Sequence, residues 1–296
     1  MPATSGSTSV SSPNRGRCEA MARVVGGLGC SHAPSIAHAY DHGMTEEPHW
    51  RPLFEAFRHA QRWLLDVAPD ALVVVYNDHV DQFFFDCWPT FAIGLAEEFE
   101  VADEGYGPRA FPPVPGHPAL ARHLASFLVQ SEGFDLALCE KMVLDHGVLS
   151  ALPLVDPDWQ VPVVPLAVNV VCPPLPTPAR CWALGQALAR ALSAYPEELR
   201  VVVVGTGGLS HQLTGPNFGE VRPEWDRRFL DLIDRSPQEL TGLSMDDLAR
   251  LGGDHSVEVV QWMVMRAALP TGARLDFQFY YPFMIMGYAV AGWRAP

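Results

Sequence analysis

Long apolar runs are missing from this 296-residue chain. None approaches the roughly 20 residues that a helix needs to cross a bilayer. Positive charge is scarce too: 20 Lys and Arg stand against 34 Asp and Glu, a formal net charge of −14. A field of that sign repels nucleic acid and anionic membranes, so neither is an expected partner. A small anionic substrate stays compatible, because local side chains dominate inside a pocket. The six cysteines (Cys18, Cys30, Cys87, Cys139, Cys172 and Cys181) include no CxxC pair. Their scatter suits reduced thiols in the cytoplasm better than a disulfide frame or a zinc ribbon. Residues 1–20 are rich in Ser, Thr, Gly and Pro and lack the apolar core of a signal peptide. They read as a disordered tail, or as sequence upstream of a start at Met21. Internal repeats and clean linkers are also lacking, so residues 21–296 read as one domain.

What is present is an α/β pattern. A hydrophobic fraction of 48% with 18% charged residues suits a soluble protein with a sizeable core. Strands are expected at Val24–Leu28, Ala71–Tyr76, Leu136–Cys139, Val161–Val170, Val201–Val204, Leu275–Tyr281 and Met284–Val290. Several are continuous apolar runs, as in central strands covered on both faces. Helices are expected at Trp50–Asp66, His117–Glu132, Pro178–Tyr195 and Ser256–Leu269, with Leu53, Phe57 and Leu64 on one face of the first. The alternation predicts a layered α/β architecture with a largely buried sheet flanked by helices. Between Asp86 and Gly116 lies a long stretch rich in Pro, Gly and acidic residues, read as a functional loop.

In such folds ligands gather beyond the carboxyl ends of the strands. His32, His79 and His211 each follow an expected strand by a few residues. A histidine so placed is more often a loop residue bonded to backbone; three in one chain make that reading less comfortable. Glu258 lies in an otherwise apolar run, Val257 to Met265. Buried and unpaired it would cost several kcal/mol, so it is metal-bound, paired with Arg250 or Arg266, or exposed near a helix N-terminus. Two histidines and one carboxylate match a 2-His-1-carboxylate ferrous site. By spacing alone, His146 reads as a helix-capping residue and His117 as a turn residue. His38, His42, His49, His123 and His255 carry no signal separable from surface.

The chain from Met21 to about Met286 resembles the LigB-type extradiol ring-cleavage dioxygenases, such as the protocatechuate 4,5-dioxygenase beta subunit and gallate and methylgallate dioxygenases. The resemblance rests on ordered segments: Ser31-His32-Ala33-Pro34, Tyr76-Asn77-Asp78-His79, Pro89-Thr90-Phe91-Ala92-Ile93-Gly94, Ala102-Asp103-Glu104-Gly105 and Gly116-His117-Pro118. Asp145-His146-Gly147, Gly205 to Gln212 and Val257 to Trp262 continue the series. It implies a mixed sheet and Fe(II) held by His32, His79 and Glu258. It also implies His211 as acid/base, and His146 as a further catalytic residue facing substrate or O2. Asn77 and Asp78, flanking His79, are expected to orient that ligand or to contact the substrate, and Ile285 is a further expected substrate contact. A catechol would chelate the iron beside O2, and His211 would remove and return its proton.

Relatives that cleave carboxylated catechols carry a serine near the last strand. The corresponding stretch, Tyr281 to Met286, has none, so an apolar wall there disfavours protocatechuate and leaves a less polar catechol, or a carboxylate held differently. A homodimer, or a hetero-oligomer with a small alpha subunit covering the site, is expected. The alternatives are a metal- or partner-binding protein of the same fold, or a zinc hydrolase.

Overall fold

The structure, a computed structural model, describes residues 21–296; the expected N-terminal tail lies outside the described residues. The chain runs β1 (Arg23–Cys30), α1 (Pro34–Asp41), α2 (Arg51–Val67), β2 (Ala71–Tyr76), β3 (Phe91–Gly94), β4 (Glu98–Val101) and β5 (Val114–Pro115). It continues through α3 (Pro118–Gln130), β6 (Ala137–Cys139), β7 (Val143–Leu144), α4 (His146–Leu149), α5 (Leu152–Val155) and β8 (Val163–Val168). The remaining elements are α6 (Pro178–Ser193), β9 (Arg200–Thr206), α7 (Pro223–Arg235), α8 (Met245–Gly252), α9 (Val259–Ala268), β10 (Arg274–Phe283) and β11 (Met286–Arg294).

Eight strands form one mixed sheet in the order β10-β11-β1-β9-β2-β8-β3-β6, and β5-β4-β7 form a small second sheet. Strands β1, β9, β2 and β8 are mutually parallel, whereas β11 joins β1 and β3 joins β8 antiparallel. The continuous apolar runs explain the centre. Every residue of β2 and β8 is buried. Ala71, Val73 and Val75 of β2 enter one core with α6 and α9; Leu72, Val74 and Tyr76 enter the other with α2 and α5. A buried aliphatic side chain is worth roughly 1.5–3 kcal/mol, so a one-residue slip is opposed from both faces.

Three expectations are corrected. The stretch Asp86–Gly116 is not a loop throughout, since it contains β3, β4 and β5. The last strand begins at Met286, because Met284 and Ile285 form the tip of the β10–β11 hairpin, with Met284 at φ 53°. Residue Glu258 lies outside the final helix, in a 3-10 turn, Ser256–Glu258, that leads into α9.

Candidate metal centre

The neighbours β1, β9 and β2 are parallel, so they end on the same edge of the sheet. His32 stands two residues past β1, His79 three past β2 and His211 five past β9. The turn before α9 brings Glu258 in against them. Glu258 is 4% exposed, and neither expected cation meets it: Arg250 pairs with Asp247, and Arg266 donates to the Asp234 carbonyl. Its neighbours are three imidazoles. Nε2 of His32 lies 3.2 Å away, that of His79 3.7 Å and that of His211 3.9 Å. The Gly208 N–H donates to Oε2 at 2.8 Å. Gly207 permits this approach: its φ is 133°, and a Cβ there would sit 2.8 Å from the Glu258 carbonyl oxygen. Burial alone would push the Glu258 carboxyl up, but the surrounding imidazoles reverse this and hold it well below the usual carboxylate range.

The tautomers follow from the outer partners. Nδ1 of His32 is 3.1 Å from the Gly147 carbonyl and 2.9 Å from Thr206 Oγ1. A carbonyl only accepts, so Nδ1 carries the proton and Nε2 keeps a lone pair. That Nε2 is buried and makes no hydrogen bond among the described residues. An orphaned buried lone pair beside a carboxylate is what a metal would satisfy.

His79 donates from Nδ1 to Asp145 Oδ2 at 2.9 Å, and its backbone N–H donates to the same oxygen at 2.7 Å. Burial favours neutral His79, yet Asp145 and Glu258 together raise it to about 10. Asp145 is itself held near 2: burial opposes this, and the imidazoles of His79 and His146 outweigh it. One ligand atom from each of His32, His79 and Glu258 lies within 4.8 Å of those of the other two. Donor types, tautomer control and burial therefore fit a divalent metal.

His211 donates from Nδ1 to the Leu209 carbonyl at 3.0 Å, which leaves Nε2 toward Glu258 as an acceptor. Burial holds this imidazole below its ordinary value, with Glu258 opposing. His146 opens α4, and its Nδ1 contacts Glu104 Oε2 at 2.5 Å. Its ring lies 3.7 Å, centroid to centroid, from that of His79. Burial and then His79 hold it below its ordinary value, against Glu104 and Asp145.

The other expected residues divide. Ile285 lines the cavity. Asn77 and Asp78 do not line it. Gln261 Nε2 donates to Asn77 Oδ1 at 2.8 Å, and Asn77 Nδ2 lies 2.9 Å from His79 Nε2. The Asp78 carboxylate accepts backbone N–H groups from Val80, Gln82 and Phe83 at 2.9–3.1 Å, fixing the turn after His79. Val80 in that turn has φ 74°, a strained conformation for a β-branched residue. Asn77 thus contacts the His79 ring, and Asp78 holds the turn that follows it.

The cavity encloses about 410 Å³ and is mostly apolar, walled by Ala33, Pro34, Leu213, Met284, Ile285 and Met286. Polar groups beyond the four histidines and the glutamate already placed are few. His255 lines the wall, its ring centroid 5.5 Å from that of His211 and its Nδ1 2.7 Å from Asp254 Oδ1. Ser35 and Tyr288 share a hydrogen bond of 2.9 Å. Sequence reasoning gave no role to Asp145, Glu104, His255, Ser35 or Tyr288. Only Asp145, in Asp145-His146-Gly147, and Glu104, in Ala102-Asp103-Glu104-Gly105, lay in motifs that carried a readable signal.

Comparison with known proteins agrees with this geometry. The chain matches the family described as the catalytic LigB subunit of aromatic ring-opening dioxygenase over residues 26–290. It is 46% identical over 184 residues to a gallate dioxygenase of Pseudomonas putida, covering 61% of this chain and 54% of that protein. The match thus spans about half the length of that relative. It is 32% identical to a 2,3-dihydroxyphenylpropionate/2,3-dihydroxicinnamic acid 1,2-dioxygenase of Rhodococcus, covering 76% of this chain and 84% of that one. A crystal structure of an uncharacterized protein from Escherichia coli K12 shares the fold, with TM-score 0.59 at 18% identity, over 90% of this chain and 99% of that one. The chain belongs to the LigB family, the catalytic subunits of aromatic ring-opening dioxygenases.

Proposed function

We propose that this chain is a non-haem Fe(II) extradiol dioxygenase that opens the ring of a catechol with O2. The observation that carries the reading is the convergence of His32, His79 and Glu258 beside His211 in one largely apolar cavity. A ferrous ion held by those three side chains would supply the Lewis acidity and the electron path that bring catechol and O2 to reaction.

The chain's own groups do the rest. Glu258 contributes one negative charge where two neutral imidazoles contribute none. Nε2 of His211, kept neutral by burial, accepts the proton of a substrate hydroxyl and later returns it. Asp145 and Gly147 fix the directions of the His79 and His32 rings. His146, tied to Glu104, presents its ring beside His79 where substrate or O2 arrives. The apolar wall at Leu213, Met284 and Ile285 keeps water from the reacting atoms.

The enzyme would act in the cytoplasm, which five free cysteines among the described residues support. No helix among those residues is long and apolar enough to cross a membrane. It would work as a homodimer or with a small alpha subunit over the cavity mouth. Met284, 59% exposed at that mouth, supports a covering partner. Metal analysis together with O2 uptake tests the reading. Iron-dependent uptake with a ring-opened product is expected; zinc occupancy with hydrolysis and no uptake would overturn it.

A further inference from the structure

Three features outside the metal and acid/base groups stand out: the His255–Asp254 pair, the buried Asp226 that clamps Ser210 beside His211, and the Ser35–Tyr288 hydroxyl pair. The last reaches furthest, because it faces the cavity and has hydrogen-bonding capacity to spare. Ser35 stands three residues beyond His32, near the start of α1. Tyr288 lies on β11, whose Val290 pairs with Cys30 and whose Ala289 exchanges hydrogen bonds with Ser31. Sheet register therefore sets Tyr288 beside His32. Met286, two residues earlier on the same face, bridges to His211. The two hydroxyls thus border the cavity between the candidate ligand His32 and the acid/base His211.

A donor count shows what they lack. Two hydroxyls carry two O–H protons, and their mutual hydrogen bond uses one. Neither oxygen has another hydrogen-bond partner among the described residues. One O–H donor and several lone pairs are therefore left facing an otherwise apolar wall. Tyr288 is buried, and burial holds its phenol above the ordinary value against Ser35, so it stays a hydroxyl. Among the described residues, no arginine or lysine lines the cavity. An oxygen on the substrate ring has these hydroxyls as its partner along this wall.

Building on the dioxygenase reading, we propose that Ser35 and Tyr288 select catechols carrying a further hydrogen-bonding oxygen on the ring, a third hydroxyl or a carboxylate. The polar anchor that the stretch Tyr281 to Met286 lacks is thereby supplied from α1 and from the strand just beyond it. A plain or alkyl catechol would leave the spare donor unmatched.

The test uses Tyr288→Phe and Ser35→Ala in the Fe(II)-loaded enzyme. Catechol, 4-methylcatechol, pyrogallol and protocatechuate are the probes, and anaerobic calorimetric titration measures their binding alongside KM and kcat. Removing one neutral hydrogen bond should weaken binding about 3- to 10-fold. We expect that loss for pyrogallol, for protocatechuate or for both, with catechol and 4-methylcatechol within about 2-fold of wild type and kcat little changed. Which of the two probes responds identifies the oxygen recognised. An equal loss for all four probes, or none for any, would overturn the proposal and leave the hydroxyl pair as a tie between α1 and β11. Failure of the wild-type enzyme to turn over any of the four probes would instead count against the dioxygenase reading itself.

Discussion

His32, His79 and His211 each commit Nδ1 to an acceptor and turn Nε2 toward Glu258. If His32, His79 and Glu258 hold the metal, Glu258→Ala and His79→Ala should stay folded yet lose bound iron in metal analysis; full occupancy in both would remove the assignment. Asp145→Asn keeps the shape but weakens the acceptor that orients His79. It should lower metal affinity about 10- to 100-fold, measured by competition with a chelator. His79 titrates at about 10 in the metal-free site, so at neutral pH loading must displace its proton. Apparent metal affinity should therefore climb as pH rises toward 10; a flat profile between pH 6 and 9 would contradict the geometry. His211 runs the other way. Burial holds it below the imidazole norm of about 6.5, so it is a competent base at neutral pH and loses that role only on acidification below this value. The acid limb of kcat/KM should fall below pH 6.5, and His211→Phe should keep iron while slowing turnover about 10²- to 10⁴-fold.

At the level of elements, the parallel run β1, β9, β2 assembles the site, and α9 closes it from one face. Gly29 on β1 shows how tightly: a Cβ there would lie 2.3 Å from the Trp262 ring of α9. Gly29→Ala should destabilise the fold by about 1–3 kcal/mol and draw Glu258 from its place, seen as a lower denaturation midpoint with weaker metal binding. The central strands were legible in the sequence because both faces are buried, which leaves continuous apolar runs such as Ala71–Tyr76. Strands β3, β4, β5 and β7, of two to four residues each, are too short to declare a period. The helix Pro223–Arg235 was not among the expected helices, although Pro223 in its first turn and Trp225, Phe229, Leu230 and Ile233 on one buried face carry the pattern of one. The histidine positions past the strand ends were legible. Partners at long sequence separation, such as Glu104 with His146 or Ser35 with Tyr288, leave no local signal and emerge only from the fold.

For the whole molecule, the mixed sheet is a scaffold that delivers three histidines along one edge and a carboxylate across it. The negative net charge repels polyanions without barring a small aromatic acid, since local side chains dominate inside a pocket. The apolar mouth around Met284 is the surface on which a covering partner would seat. The proposed role of the cavity is to couple a ferrous ion to O2 and a catechol. The most direct measurement is O2 consumption by anaerobically Fe(II)-loaded protein against a panel of catechols, with the product followed by its colour and mass. The account predicts one O2 consumed per ring opened, with uptake abolished in Glu258→Ala. Iron bound at full occupancy, with no O2 uptake for any catechol even in the presence of a candidate alpha subunit, would contradict it.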